Sequence, residues 1–329
     1  MSSKPTIAFV FPGRIDHVEP TLPLCRGLVK RDLQVEYVCD AAFRDAIRET
    51  GAIFHDVEDI CAEHGINFKE MLVDCLAEYA EDNSGDPAWG NIFGSIATEK
   101  LIPVFLDFFR SLSPKVVVYC PIRCPYAHFA SQVLRIRDVS LLTEPGPGSM
   151  IREVRKFGET PGQLAERIRS NTANAKAVEG IRALLKKVLS LNTFEPLCHE
   201  NYTQLNLVAT LQSLADPLSE KDACVYFAQG NKFEFLGPLR DPFSPEETCS
   251  ELMDEIREAV YTRSDIVYVS MGQITGDDPR HGWNASFGDN LLTGKQICHA
   301  IYRVMFRELG KAKVGPTPLV IFTVGKHGT

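Results

Sequence analysis

No apolar run in this chain approaches the roughly twenty residues that a bilayer-spanning helix needs. The first apolar stretch, TIAFVF, is too short for the core of an export signal, and Pro12 and Gly13 follow it where a small-residue cleavage site would stand. Positive charge is in deficit. With 35 Lys and Arg against 43 Asp and Glu, the formal net charge of -8 argues against nucleic acid as a partner. No Gly-x-Gly-x-x-Gly follows a strand-like run, which disfavours a dinucleotide site. A Walker loop and a Gly-x-Ser-x-Gly nucleophile elbow are missing as well. The ten cysteines form no framework: Cys120 with Cys124, and Cys61 with His64, have no second pair at zinc-ligand spacing. They read as reduced, buried thiols in a cytoplasmic protein with no metal site.

What is present is the composition of a soluble globular protein, 44% hydrophobic and 24% charged over 329 residues, which is enough chain for two domains. Strand and helix patterns alternate from the outset. TIAFVF (6–11) is nearly continuous in apolar residues, as a strand covered on both faces requires, and Pro20 and Pro23 suit the first turn of a helix. VEYVC (35–39) and AIFHDV (52–57) read as strands around a short helix that Gly51 ends. Apolar residues then recur at helical spacing, first at Phe68, Met71, Leu72, Cys75, Leu76 and Tyr79. They do so again at Leu101, Val104, Phe105, Phe108 and Leu112.

KVVVYC (115–120) and DVSLLT (138–143) are strand-like around a helix at AHFASQVLRI, and the loop TEPGPGS closes that unit. A helical stretch runs from about Thr160 to Leu191, after which NLVATL (206–211), CVYFA (224–228) and FEFLGPL (233–239) read as short strands or strand ends. GPLRDPFSPEE (237–247) has the composition of an interdomain linker. Beyond it come a helix at SELMDEIREAVY, a strand at IVYVSMG (266–272), a helix at GKQICHAIYRVMFRELG and a strand at PLVIFTVG (318–325). Such alternation with crossover helices predicts parallel sheets, hence an α/β protein with two doubly wound units. The second unit holds only two convincing strands, which leaves one edge and its helix faces uncovered.

Ligands of open parallel sheets bind beyond the carboxyl ends of the strands, and FPGRIDH lies there after the first strand. Gly13 makes a tight turn, and the helix N-terminus behind it offers free N–H groups to an anion. His17 stands where a proton-transfer group is useful, although a loop histidine also serves as plain structure.

FPGRIDHVEPTLPLCRGLVKRDLQVEYVCDAAFRDAIRETGAIFHDV resembles the start of family 1 glycosyltransferases, the nucleotide-sugar-dependent enzymes with the GT-B fold. The likeness rests on His17, Val18, Pro20, Thr21 through Leu24, Leu28, Arg31, Val35, Tyr37, Val38, Phe43, Ile47, Gly51, Ala52 and Phe54. VVVYC, DVSLLT, FLGPL and IVYVSMG extend it over essentially the whole chain. The resemblance implies a GT-B-like protein with a complete N-terminal Rossmann-like domain over 1–236, which binds the acceptor. A linker and an incomplete nucleotide-sugar-binding domain follow over 237–329. It further implies transfer, with inversion, of sugar from a nucleotide diphosphate donor, a UDP-sugar, to a hydroxyl of a small lipophilic acceptor such as a sterol or polyketide. The donor is a co-substrate, and neither cofactor nor metal is needed. His17 matches the general base that takes the acceptor's proton. Cys120 stands where an aspartate orients that base, and Gly13, Ser270, Gly272 and Gln273 are the donor-binding positions. The aromatic helix around Phe105 to Phe109 lines an acceptor pocket or packs the core.

The chain departs from the family pattern in several places. Cys120 replaces a carboxylate with a neutral thiol, a weak hydrogen-bond partner, while Asp16 is the carboxylate nearest to His17 in sequence. Arg135 and Arg137 replace a glycine and a proline, and Gln273 replaces a Thr or Ser. HGWNAS (281–286) reads as a polar loop, and the family's donor signature is expected beyond Thr329. Two alternatives follow. One is an inactive truncated homologue, a pseudoenzyme that retains acceptor or partner binding; the other is an enzyme whose donor half comes from a partner chain.

Overall fold

The structure, a computed structural model, describes residues 4–71, 87–148, 163, 166–167, 170–189, 201–215, 218–227, 230–239, 250–270, 286–287, 292–309 and 318–323. The chain divides into two compact units, Met1–Ser244 and Pro245–Thr329.

The first unit opens with β1 (Thr6–Val10), a single turn α1 (Ile15–Val18), α2 (Leu22–Lys30), β2 (Gln34–Cys39) and α3 (Arg44–Arg48). Then come β3 (Ile53–Asp56), α4 (Val57–Ala62), the long α5 (Pro87–Leu112), β4 (Val116–Tyr119), α6 (Pro125–Leu134) and β5 (Arg137–Leu142). It closes with α7 (Thr172–Leu189), β6 (Leu205–Val208), α8 (Glu220–Phe227) and β7 (Lys232–Phe235). The seven strands make one sheet in the order β3-β2-β1-β4-β5-β6-β7, and every neighbouring pair is parallel. From β1 the chain winds outward to β3, then crosses back to β4 on the other side of β1. Loops after β1 and β4 therefore leave in opposite directions, the place where such sheets open a crevice for ligands.

The centre of the sheet is covered on both faces. Ala8, Phe9 and Val10 of β1, Tyr37 and Val38 of β2, and Val117 and Tyr119 of β4 are all buried. This double burial is why the strands read as apolar runs without alternation. The stripe on α5 also faces inward. Leu101, Val104 and Phe105 are buried, and the Phe105 ring meets Phe109 and Tyr126 at centroid distances of 5.7 and 4.6 Å. Phe105 and Phe109 are thus core residues, each contributing roughly 1.5–3 kcal/mol through burial. Of the preceding stripe, Phe68 and Met71 are described, and Leu72, Cys75, Leu76 and Tyr79 lie outside the described residues.

Buried polar groups fix the register of the outer strands. The Asn206 side chain accepts from Ser140 Oγ at 2.7 Å and from the Thr203 N–H at 3.0 Å, and donates to the carbonyls of Thr203 and Lys232. One amide thereby ties β5, β6 and the start of β7 together. On the other side, buried Glu36 of β2 meets His55 of β3 at 2.6 Å.

One expectation needs correction. CVYFA does not form a strand; Cys224 to Phe227 belong to α8, with Tyr226 packed edge-on against Tyr202 at 5.7 Å. A short apolar run carries no period, and the Glu-Lys-Asp start of the helix outweighs it. The helical stretch expected before Leu191 is present as a helix over Thr172–Leu189, with residues 190–200 outside the described set.

The second unit contains α9 (Ser250–Thr262), β8 (Ile266–Ser270), β9 (Ser286–Phe287), β10 (Leu292–Thr293), α10 (Gly294–Leu309) and β11 (Leu319–Thr323). β8 and β11 pair in parallel, and β9 and β10 form a small antiparallel ribbon. Tyr261, Tyr268 and Phe306 are exposed on it. Among the described residues, no helix is long and apolar enough to cross a membrane, and Cys25, Cys39, Cys61, Cys120, Cys124 and Cys298 are free and buried.

Candidate functional site

Strands β1, β4 and β5 lie side by side, and the residues just past their carboxyl ends supply the site. After β1 the chain turns sharply at Gly13. A β-carbon there would fall 2.4 Å from the Asp40 β-carbon, so the loop passes the end of β2 at a distance only glycine permits. The single turn α1 follows, closed by the N–H groups of His17 and Val18, which both donate to the Arg14 carbonyl. Thr21 pins this turn to the sheet. Its hydroxyl donates to the Val18 carbonyl at 2.7 Å and therefore accepts from the buried Tyr37 hydroxyl, also at 2.7 Å. His17 is held in place by this local scaffold rather than by a long helix.

The His17 side chain is 4% exposed. Its Nδ1 lies 3.0 Å from the Thr143 hydroxyl and 3.7 Å from Cys120 Sγ. Its Nε2 lies 3.7 Å from Glu144 Oε1 and 4.0 Å from Asp16 Oδ2. Cys120 is set beside β1 because its N–H donates to the Val10 carbonyl at 3.2 Å, extending the β1–β4 pairing by one residue. Cys120 thus sits at the Nδ1 edge of His17. Thr143 and Glu144 had not been singled out. The only sequence signal for them is an abrupt Thr-Glu pair after the apolar end of β5.

The electrostatics follow from burial. Desolvation pushes His17 down to about 4, helped by the nearby Arg123 and Arg14 and opposed by Asp16. The ring is therefore neutral at physiological pH. Burial pushes the Cys120 thiol up to about 12, so the sulfur offers no negative charge to an imidazolium. Burial also raises Glu144 above the ordinary carboxylate range, with Arg123 pulling the other way. Burial acts to raise Asp16 too, but the Arg14 guanidinium, hydrogen-bonded to it at 3.1 and 2.9 Å, together with the neighbouring His17 and a backbone N–H, outweighs this and lowers it. A neutral base flanked by a polar, partly covered carboxyl is suited to moving one proton.

The remaining candidate positions fall elsewhere. Ser270 closes β8 in the second unit, in register with Thr323 of β11. Gly272 and Gln273 lie outside the described residues. A surface cleft of about 340 Å³ at the β3 edge is lined by Arg44, Arg48, His55 and Phe108 among others. Its main charges are matched from within, Arg44 by Asp56 at 3.5 Å and His55 by Glu36.

No known family profile matches this chain, and no curated protein matches it in sequence. Solved structures do match its fold. The glycosyltransferase of kitacinnamycin superposes with a TM-score of 0.52 at 15% identity, covering 99% of this chain and 67% of its own. The calicheamicin glycosyltransferase gives a TM-score of 0.52 at 16% identity, covering 85% of this chain and 61% of its own. The chain has the GT-B-like α/β fold of these enzymes and spans about two thirds or less of their lengths.

Proposed function

We propose that this chain serves the inverting transfer of a sugar from a nucleotide diphosphate donor, a UDP-sugar, to a hydroxyl of a small lipophilic acceptor of polyketide or sterol type. The observation that carries this reading is the neutral, buried imidazole of His17 at the switch point of a sheet whose fold is shared with the glycosyltransferases of kitacinnamycin and calicheamicin. An alcohol is a poor nucleophile until its proton has somewhere to go, and Nε2 of a neutral ring accepts it. Residues 1–236 hold the acceptor, and the linker and incomplete domain over 237–329 contribute donor-binding positions at Ser270, Gly272 and Gln273. The diphosphate is neutralised by N–H groups and polar side chains, without a metal. The free, buried thiols accord with a reducing, cytoplasmic setting.

Incubating the chain with UDP-sugars and a panel of lipophilic alcohols, with products read by mass spectrometry, tests the reading. His17→Ala is expected to abolish transfer while circular dichroism stays unchanged; transfer that survives the substitution removes His17 from the chemistry. A second reading is favoured by the neutral Cys120 thiol at Nδ1, which leaves the base without its usual carboxylate. On that reading the chain binds an acceptor or a partner without turnover. Acceptor binding by calorimetry with no product, rescued by Cys120→Asp, distinguishes the two.

A further inference from the structure

Glu144 brings into this site a carboxyl group that the reading above does not use. It follows Thr143 directly at the end of β5, with Oε1 3.7 Å from His17 Nε2. Its side chain keeps 23% of its surface, yet Oε2 is covered and has no hydrogen-bond partner. A covered acceptor oxygen without a partner is costly, so an oxygen in that position is well placed to take up a proton during function. Among the described residues, the Nδ1 edge of His17 meets a hydroxyl and a thiol, neither of them charged. Among the described residues, the two carboxyl groups near the ring stand at its Nε2 edge, and Asp16 is already engaged by Arg14 through two hydrogen bonds. Glu144 is the one of the two whose carboxyl has an oxygen to spare.

We propose that Glu144 is the final acceptor of the proton that His17 Nε2 removes from the acceptor hydroxyl. The proposal rests on the sugar-transfer reading. The acceptor O–H bond breaks and its proton passes to Nε2 and then to the Glu144 carboxylate. The freed oxygen forms the bond to the anomeric carbon, and the bond from that carbon to the diphosphate breaks, its electron pair leaving with the nucleoside diphosphate. His17 returns to its neutral form within the same step, so the missing carboxylate at Cys120 is made good from the opposite edge of the ring. Burial acts in this direction on both groups, lowering the ring's proton affinity and raising that of the carboxyl, while the surrounding charges pull both ways. Asp16 raises the ring's affinity for a proton, Arg14 and Arg123 lower it, and Arg123 opposes but does not reverse the rise at Glu144.

The destination of the proton can be read without turnover. The full chain, isotope-labelled in glutamate carboxyls and histidine rings, is titrated from neutral to acid pH by NMR, and Glu144→Gln and His17→Gln assign the two signals. The Glu144 carboxyl is expected to take up its proton at higher pH than the His17 ring. A ring that protonates first overturns the proposal. Where the Gln variant does not fold, Glu144→Asp keeps the carboxyl and moves its titration, giving the same assignment. In transfer assays Glu144→Gln should lower turnover roughly 100-fold at neutral pH and distort its pH profile, whereas Glu144→Asp should retain most of it. An unchanged profile in the Gln variant also overturns the proposal. A wild-type chain without transfer sinks the sugar-transfer reading, while the titration still decides where the proton goes.

Discussion

His17 is the residue on which most of the chemistry turns, and burial sets its state. The unfolded ring titrates near 6.5, whereas the folded ring resists protonation until about 4. Between those values the unfolded chain binds a proton that the folded chain refuses, so stability falls as the pH drops through that window. The loss is on the order of 3 kcal/mol by pH 4. Glu144 acts with the opposite sign, because a raised carboxyl pKa favours the folded state as acid is added. Urea denaturation at a series of pH values should therefore show His17→Gln gaining on the wild type below about pH 6.5. Parallel curves would mean that the ring is not held neutral. His17 itself was legible from its place after an apolar run. Thr143, which meets it from a separation of 126 residues, was not, since no local pattern links the two.

At the scale of single elements, the turn between α6 and β5 shows a cost written into the sequence. Arg135 caps α6 with φ 56° and ψ 35°, a left-handed conformation. The N–H of Ile136 donates back to the Ser131 carbonyl at 2.9 Å, closing the helix end. A left-handed residue with a β-carbon costs about 1–2 kcal/mol, and glycine's greater unfolded freedom returns about half of that gain. Arg135→Gly is thus expected to stabilise the first unit by about 0.5–1 kcal/mol, seen as a rise in its thermal midpoint. A fall would show that the exposed arginine makes contacts worth more than the strain. The helical period of α5 and the continuous apolar run of β1 were readable in advance. CVYFA was not, because five apolar residues suit a buried strand and a helix equally well, and only packing against Tyr202 separates them.

The two units of the whole molecule are unequal in what they can support. The first has a seven-stranded parallel sheet with a continuous core. The second, among its described residues, has a two-stranded parallel pair and exposes Tyr261, Tyr268, Val304 and Phe306. Two strands rarely hold a cooperative core in water. Residues 1–244 expressed alone are expected to unfold in one cooperative thermal transition, and residues 245–329 alone to give none by calorimetry. A sharp transition in the isolated second segment would contradict this assignment.

The sequence by itself determined the class of the fold. Apolar runs without alternation dictate strands covered on both faces, amphipathic spacing dictates the helices between them, and their alternation requires parallel pairing. It also determined that a histidine would follow β1 and that Cys120 would stand at the carboxyl end of the fourth strand's apolar run. Only the tertiary structure decided that the ends of β1, β4 and β5 meet at one point. Strand order is set by how crossovers pack across the whole sheet, which no segment encodes alone. That order is what brings Glu144 to the ring and leaves the Cys120 thiol uncharged beside it.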